Sequence, residues 1–268
     1  MYSTQQPAAT VMIEFNSSSD TSCDNPATTP ANAKVAHITT SRISPWLSHV
    51  AYFLGGHFLL PLFFGDIRVT GQENLPNTGP IILAPTHRAR WDPLLLAYAT
   101  GRCATGRDLR FMVTITECQG LQGWFVRRLG GFSVDPQQPS ITTLRHSVEL
   151  LEHGETLVIY PEGGIFRDGK VHPLKPGIAR LALSTEFSHP GLGIKIIPVS
   201  INYSQQLPAW GTDVSIHIGH PIEVADYTRG ALKHNAKRLT TDLTMALQKL
   251  SHHESKVSCR AFAEMPNS

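Results

Sequence analysis

The hydrophobic pattern divides the chain into four stretches. Residues 1 to about 45 are rich in Ser, Thr, Asn, Ala and Pro and show no apolar period. Such a segment buries too little to offset the entropy of ordering it, so 1–45 is expected to be a disordered tail. The most apolar run follows, WLSHVAYFLGGHFLLPLFF (46–64). Leu47, Val50, Leu54 and Phe58 share one helical face, and beyond Phe58 the run is apolar all round. A spanning helix needs about 20 predominantly apolar residues, whereas Ser48, His49, Gly55–Gly56, His57 and Pro61 interrupt this run. Two readings fit it: a helix or broken helical pair lying in one membrane leaflet, or a buried helix at the start of the domain. We take the first.

Residues 65–250 alternate between strand and helix patterns. Strands are expected at 66–71, 80–85, 110–115, 156–160, 195–203 and 213–219, with a short one at FSVD (132–135). PIILAP (80–85) is continuously apolar, as a strand covered on both faces must be. Helices are expected at 93–102, 117–130, 177–187 and 228–250. Another is marked by Ile141, Leu144, Val148 and Leu151 and stops at Gly154. The fold class is α/β: a single domain with a mixed central sheet flanked by helices, preceded by the apolar membrane-associating segment. Residues 251–268 are expected to be a flexible C-terminus.

Composition narrows the function classes. Charged residues make up 16% of the chain, well below the usual share of about 25%, which suits an apolar exposed surface. A formal charge of +2 is too small for a nucleic-acid binder. Cys23, Cys103, Cys118 and Cys259 form no C-x-x-C pair, so reduced thiols in a cytoplasmic compartment are expected, with no zinc site.

Candidate chemistry sits at two strand ends. His87 follows the strand 80–85, and Asp92 lies at the entry to the next helix. An imidazole can take a proton from an alcohol at neutral pH, and a carboxylate on its other nitrogen fixes the tautomer. Asp92–Pro93 also reads as a simple helix cap, and His87 alone as an ordinary loop histidine. The second segment, YPEGGIFRDGKVHPLKPGIARLA (160–182), brings Glu162, glycines that let the backbone approach a ligand, and Arg167 and Lys170 as phosphate-seeking cations. Lys175-Pro176-Gly177 stands at a helix start, where unpaired N–H groups suit an anion. GWFVRRLGGFSVD (123–135) sets Arg127 and Arg128 beside aromatics.

Two tempting motifs fail. Gly164 to Lys170 spells most of a P-loop, but Val171 replaces the hydroxyl residue and His172–Pro173 prevents the required helix. His217-Ile-Gly-His220 spells a nucleotidyltransferase signature but ends a late strand instead of opening a helix.

The ordered blocks resemble those of the glycerolipid acyltransferases, typified by lysophosphatidic acid acyltransferase. Thr86-His87-Arg88-Ala89-Arg90-Trp91-Asp92 matches that family's N-H-x-x-x-x-D motif, and Tyr160-Pro161-Glu162-Gly163 matches part of its F-P-E-G-T-R block. Ile197-Pro198-Val199 matches its V-P-V block, and Ile218 to Ile222 its closing strand. The resemblance covers roughly 65–225. It implies that His87 is the general base and Asp92 orients it. Glu162 and Gly163 would shape the acceptor pocket, with Lys175 and Gly177 near it. It also implies direct attack on an acyl thioester of acyl carrier protein or coenzyme A, with no cofactor or metal; the chain has no G-x-S-x-G elbow. The acceptor would be a lysophospholipid, lysophosphatidic acid first, drawn from membrane lipids at the cytoplasmic face. Other lysophospholipids, glycerol phosphate, an amine, or a membrane-binding homologue without turnover remain alternatives. Two family arginines are displaced: Ile165 stands where one belongs, with Arg167 two residues on, and Pro136 follows Asp135.

Overall fold

The computed structural model describes residues 43–114, 120–135 and 139–263. Most of the expected disordered tail and residues 264–268 lie outside them, as do Cys23, Cys118 and Pro136.

Among the described residues the organising element is one eight-stranded sheet. Its strands are β1 (Phe64–Thr70), β2 (Ile81–Pro85), β3 (Leu109–Thr114), β4 (Phe132–Val134), β5 (Thr156–Val158), β6 (Lys195–Tyr203), β7 (Thr212–Ile218) and β8 (Ile222–Glu223). They lie in the order β1-β7-β6-β2-β5-β3-β4, with β8 also on β6. Strands β6, β2, β5, β3 and β4 are mutually parallel, whereas β7 and β8 run antiparallel to β6. The sheet is therefore mixed. β5 is shorter than the apolar run suggests, because the chain leaves the ladder after Ile159 donates to Leu83 O at 3.0 Å.

Every residue of β2 is buried, since parallel neighbours and helices cover it on all sides. Its side chains alternate between two cores. Ile82 and Ala84 join α6 (Ile141–Glu152), α7 (Gly177–Ser188) and α8 (Leu232–Ala263) through Leu150, Leu151, Ile178, Leu243 and Leu247. Ile81 and Leu83 join α3 (Asp92–Thr100) through Leu95, Leu96 and Ala99. The closing helix starts later than its pattern suggests and continues past residue 250 to Ala263. Two further helices, α4 (Arg102–Thr105) and α5 (Gly120–Arg128), flank β3 in sequence.

The apolar run folds as one continuous helix and not as a broken pair. It consists of α1 (Pro45–Leu54), a π turn (Gly55–Leu59) and α2 (Leu60–Phe63). The glycine pair lets the helix widen by one residue without stopping. His49 and His57 bond back to Pro45 O and Phe53 O one turn earlier, so these polar rings are satisfied within the helix. Leu60 and Phe64 anchor the C-terminal end in the core. Trp46, Phe53, Leu54, Phe58 and Leu62 are left exposed, Trp46 by 74% and Leu62 by 65%. This exposure excludes a buried core helix. The 19 residues are long and apolar enough to cross a membrane by length and composition.

Candidate active site

The site is assembled where three adjacent parallel strands, β6, β2 and β5, reach their carboxyl ends. Thr86, just past β2, is fixed to β6 twice: its N–H donates to Val199 O at 2.9 Å, and its hydroxyl accepts from Ile201 N–H at 2.9 Å. The chain can then turn sharply through His87 without losing its backbone partners.

His87 Nδ1 lies 2.8 Å from Asp92 Oδ2. Asp92 is fully buried and does not cap α3; Trp91 holds the capping position and Asp92 is the first helical residue. Its carboxylate folds back instead over the preceding loop, where Oδ2 accepts from Arg88 N–H at 2.5 Å and Ala89 N–H at 2.9 Å. Tyr203, the last residue of β6, donates its hydroxyl to Oδ1 at 2.5 Å. Four donors therefore surround an otherwise desolvated carboxylate and meet its need for hydrogen bonds. Nδ1–H of His87 then points at Asp92, which leaves Nε2 as the basic nitrogen. The Tyr160 ring stacks on the imidazole with centroids 4.1 Å apart. Burial, followed by the charge of Asp92, pushes both the Tyr160 and Tyr203 phenols well above their ordinary value, so both stay protonated.

The Glu162 carboxylate does not line the cavity beside His87. It is buried and pairs with Arg88, whose Nη1 lies 3.1 Å from Oε1 and 3.2 Å from Oε2. It also accepts from His172 N–H at 3.1 Å. Arg88 Nη1 reaches Phe166 O as well, and Phe166 N–H donates to His87 O at 2.9 Å. Glu162 thus locks the two loops together.

A cavity of about 680 Å³ opens at His87. Its walls are mostly apolar and run from the π turn and α3 past β3 and α5 to α7, with Leu60, Leu94, Phe111, Phe125 and Leu181 among them. Gly163, Ile165, Lys175 and Gly177 line it. Lys175 lies across Gly163, a glycine at φ +71°. Besides His87, the cationic side chains on its described walls are Arg90 and Lys175. Arg167 lies elsewhere, in a separate cavity of about 200 Å³ with Arg88, Asp168, Asn202 and Tyr203. The geometry therefore brings together His87, Asp92, Gly163, Lys175 and Gly177, and keeps Arg167 and the Glu162 side chain apart from that cavity.

Sequence reasoning passed over Arg88, Arg90 and Tyr203. The two arginines sit inside the H-x-x-x-x-D block and could have been noted as cations beside the base. No local signal marks Tyr203, which lies 111 residues from Asp92. The two rejected motifs take other structures. Gly164 to Lys170 forms no helix. His217 lies within β7, its Nδ1 2.8 Å from the Thr70 hydroxyl of β1.

The chain is similar to known proteins in both sequence and fold. The chain is 24% identical over 170 residues to the 1-acyl-sn-glycerol-3-phosphate acyltransferase of Streptococcus pneumoniae, covering 60% of this chain and 58% of that protein. The Bacillus subtilis protein of the same name is 24% identical over 195 residues, 70% of this chain and 89% of that one. Mitochondrial glycerol-3-phosphate acyltransferase 1 of Sus scrofa is 27% identical over 220 residues, 75% of this chain but 26% of that protein. The chain thus spans just over half of the pneumococcal relative and about a quarter of the porcine one. The crystal structure of the 1-acyl-sn-glycerophosphate acyltransferase PlsC of Thermotoga maritima shares the fold, with a TM-score of 0.56 and 22% identity over 76% of this chain and 79% of that one. The sequence profile of the acyltransferase family matches residues 66–202, about half of the chain, from within β1 to the penultimate residue of β6, so the chain belongs to the acyltransferase family.

Proposed function

We propose that the protein transfers a fatty acyl group from a thioester to the free hydroxyl of a lysophospholipid, lysophosphatidic acid first. The observation that carries this reading is the His87–Asp92 pair, with His87 lining a largely apolar cavity of about 680 Å³, a size and lining suited to an acyl chain. His87 Nε2 takes the proton of the acceptor hydroxyl as its oxygen attacks the thioester carbonyl carbon. The tetrahedral adduct then collapses, the C–S bond breaks, and the imidazolium returns the proton to the leaving thiolate. Asp92 holds the tautomer and stabilises the imidazolium. No covalent acyl-enzyme is required.

Arg90 and Lys175 share the cavity with His87 and suit a phosphate on the acceptor. Arg167 lies in the neighbouring cavity, so it is the weaker candidate for that contact. The exposed apolar face of the 45–63 helix supports a monotopic or peripheral seat in one leaflet. Several glycerol-3-phosphate acyltransferases among the relatives favour glycerol 3-phosphate as the second acceptor to test.

The test offers purified protein labelled acyl thioesters of coenzyme A and of acyl carrier protein, together with a panel of acceptors. Lysophosphatidic acid should be acylated, and His87→Ala should lose about 100-fold or more in rate. Rates for both proteins no higher than the protein-free background would leave a membrane-binding homologue without turnover, and equal rates above it would remove His87 from the chemistry.

A further inference from the structure

The two oxygens of Asp92 are held differently. Oδ2 faces His87 and is fixed by two backbone N–H groups of its own loop. Oδ1 meets the phenol of Tyr203, which arrives from β6 at 2.5 Å. We propose that Tyr203 is a positioning residue of the reaction, which sets through Asp92 the orientation and hydrogen-bonding strength of the carboxylate that governs His87. This rests on the acyl-transfer reading above.

Three features separate this role from mere satisfaction of a buried group. Without the phenol, Asp92 keeps three donors on Oδ2, so the carboxylate would not be stranded. What disappears is the one contact that fixes its rotation about Cβ–Cγ from outside the loop. The phenol is itself held in place: it ends β6, pairs through that strand with β2, and its ring lies 6.1 Å from Phe64. It also stays a donor, because burial and the charge of Asp92 both oppose its ionisation.

A donor on Oδ1 withdraws charge from the carboxylate and weakens its hold on the His87 imidazolium. Removing that donor strengthens the hold, so the imidazole should stay protonated, and inactive as a base, to higher pH. Among the described residues, the other ionisable groups that contact the pair or line its cavity are Arg88, Glu162, Tyr160, Arg90, Lys175, Asp108, Tyr52 and Tyr98, and Arg167 and Asp168 share the neighbouring cavity with Tyr203. Tyr203→Phe leaves all of them in place.

The experiment measures kcat/KM against pH for wild type, Tyr203→Phe and Tyr227→Phe, with ring-nitrogen NMR of His87 followed over the same range. Tyr227 donates to Asp242 at 2.7 Å and is packed in the core with α6, α7 and α8; it is a tyrosine–aspartate bond of the same chemistry outside the site. Tyr203→Phe should lower the neutral-pH rate about tenfold and move the acid limb up by about half to one pH unit, with the His87 resonances following. Tyr227→Phe should move neither. Fluorotyrosine at position 203, a stronger donor of the same shape, should move the limb the opposite way, and it covers the case in which Tyr203→Phe fails to fold. An unshifted limb in both position-203 variants, with any rate loss uniform over pH, overturns the proposal. A wild-type protein that transfers no acyl group sinks the reaction assigned above, and the NMR comparison then decides the role of the tyrosine alone.

Discussion

Lys175 lies so close over Gly163 that a methyl group built on the glycine would fall 2.6 Å from its Cε and 2.7 Å from its Nζ. Gly163 is also at φ +71°, a conformation that strains any residue with a side chain. The glycine therefore makes room for the ammonium group on the cavity wall. Gly163→Ala should displace that group, and Lys175→Ala should remove it. Both should raise KM for a phosphate-bearing acceptor about tenfold while changing kcat less, as loss of uniform binding requires. Steady-state kinetics with the acceptor varied will show whether KM or kcat carries the loss.

Asp92→Asn keeps the shape of the orienting residue but removes its charge. The imidazolium loses its counter-charge, and the amide can impose the wrong tautomer. The rate should fall about 100-fold to 10,000-fold. A single-turnover assay at saturating donor isolates the effect on chemistry. A loss of less than tenfold would remove Asp92 from the mechanism.

The Arg88–Glu162 pair is buried on both sides, with 4% and 0% of the side chains exposed. Removing one partner strands a charge in a medium that cannot solvate it. Arg88→Met or Glu162→Gln should cost about 3–5 kcal/mol of stability, and the double replacement should recover part of that loss. Denaturant titrations of the three variants give the coupling directly.

The pH dependence of stability has a definite sign at Tyr227. Burial, then the bond to Asp242, pushes its phenol up to about 12 from an ordinary 10. A raised folded-state value means stability that is fully present below pH 10 and lost as the pH climbs toward 12. The contribution is about 2 kcal/mol, and Tyr227→Phe should remove it from the alkaline limb. Unfolding curves taken between pH 8 and 12 measure both.

The exposed apolar side of the 45–63 helix makes the last prediction. Phe58→Asp combined with Leu62→Asp should leave the fold intact, since both side chains are exposed, but should release the protein from vesicles. A sedimentation assay decides; undiminished binding would argue against the helix as anchor.

Much of the fold could be read along the chain because the signals are local. The run Ile81–Pro85 is apolar at every position and becomes the strand buried on both faces. The period of Ile141, Leu144, Val148 and Leu151 becomes α6, closed by Gly154. His87 and Asp92 were legible for the same reason, lying five residues apart at the end of one strand. Glu162 was recognisable as a site residue, but its partner Arg88 is 74 residues away. Whether a carboxylate faces substrate or a buried guanidinium depends on loop packing, which no spacing encodes. Arg167 misleads in the opposite way. Two residues of displacement from the expected position carry its side chain around the loop into a different cavity.

The parallel trio β6–β2–β5 divides labour between frame and lining. His87 and Tyr203 ride on the ends of β2 and β6, and the Asp92 that joins them opens α3. Gly163, Ile165 and Lys175, which meet the cavity, come from the single connection between β5 and α7, and Gly177 opens α7 beside them. That connection is the portable part of the molecule. Exchanged with that of a relative, it would carry a different acceptor preference onto an unchanged proton-transfer apparatus, provided that Glu162 and the Phe166 backbone still latch it to the His87 loop.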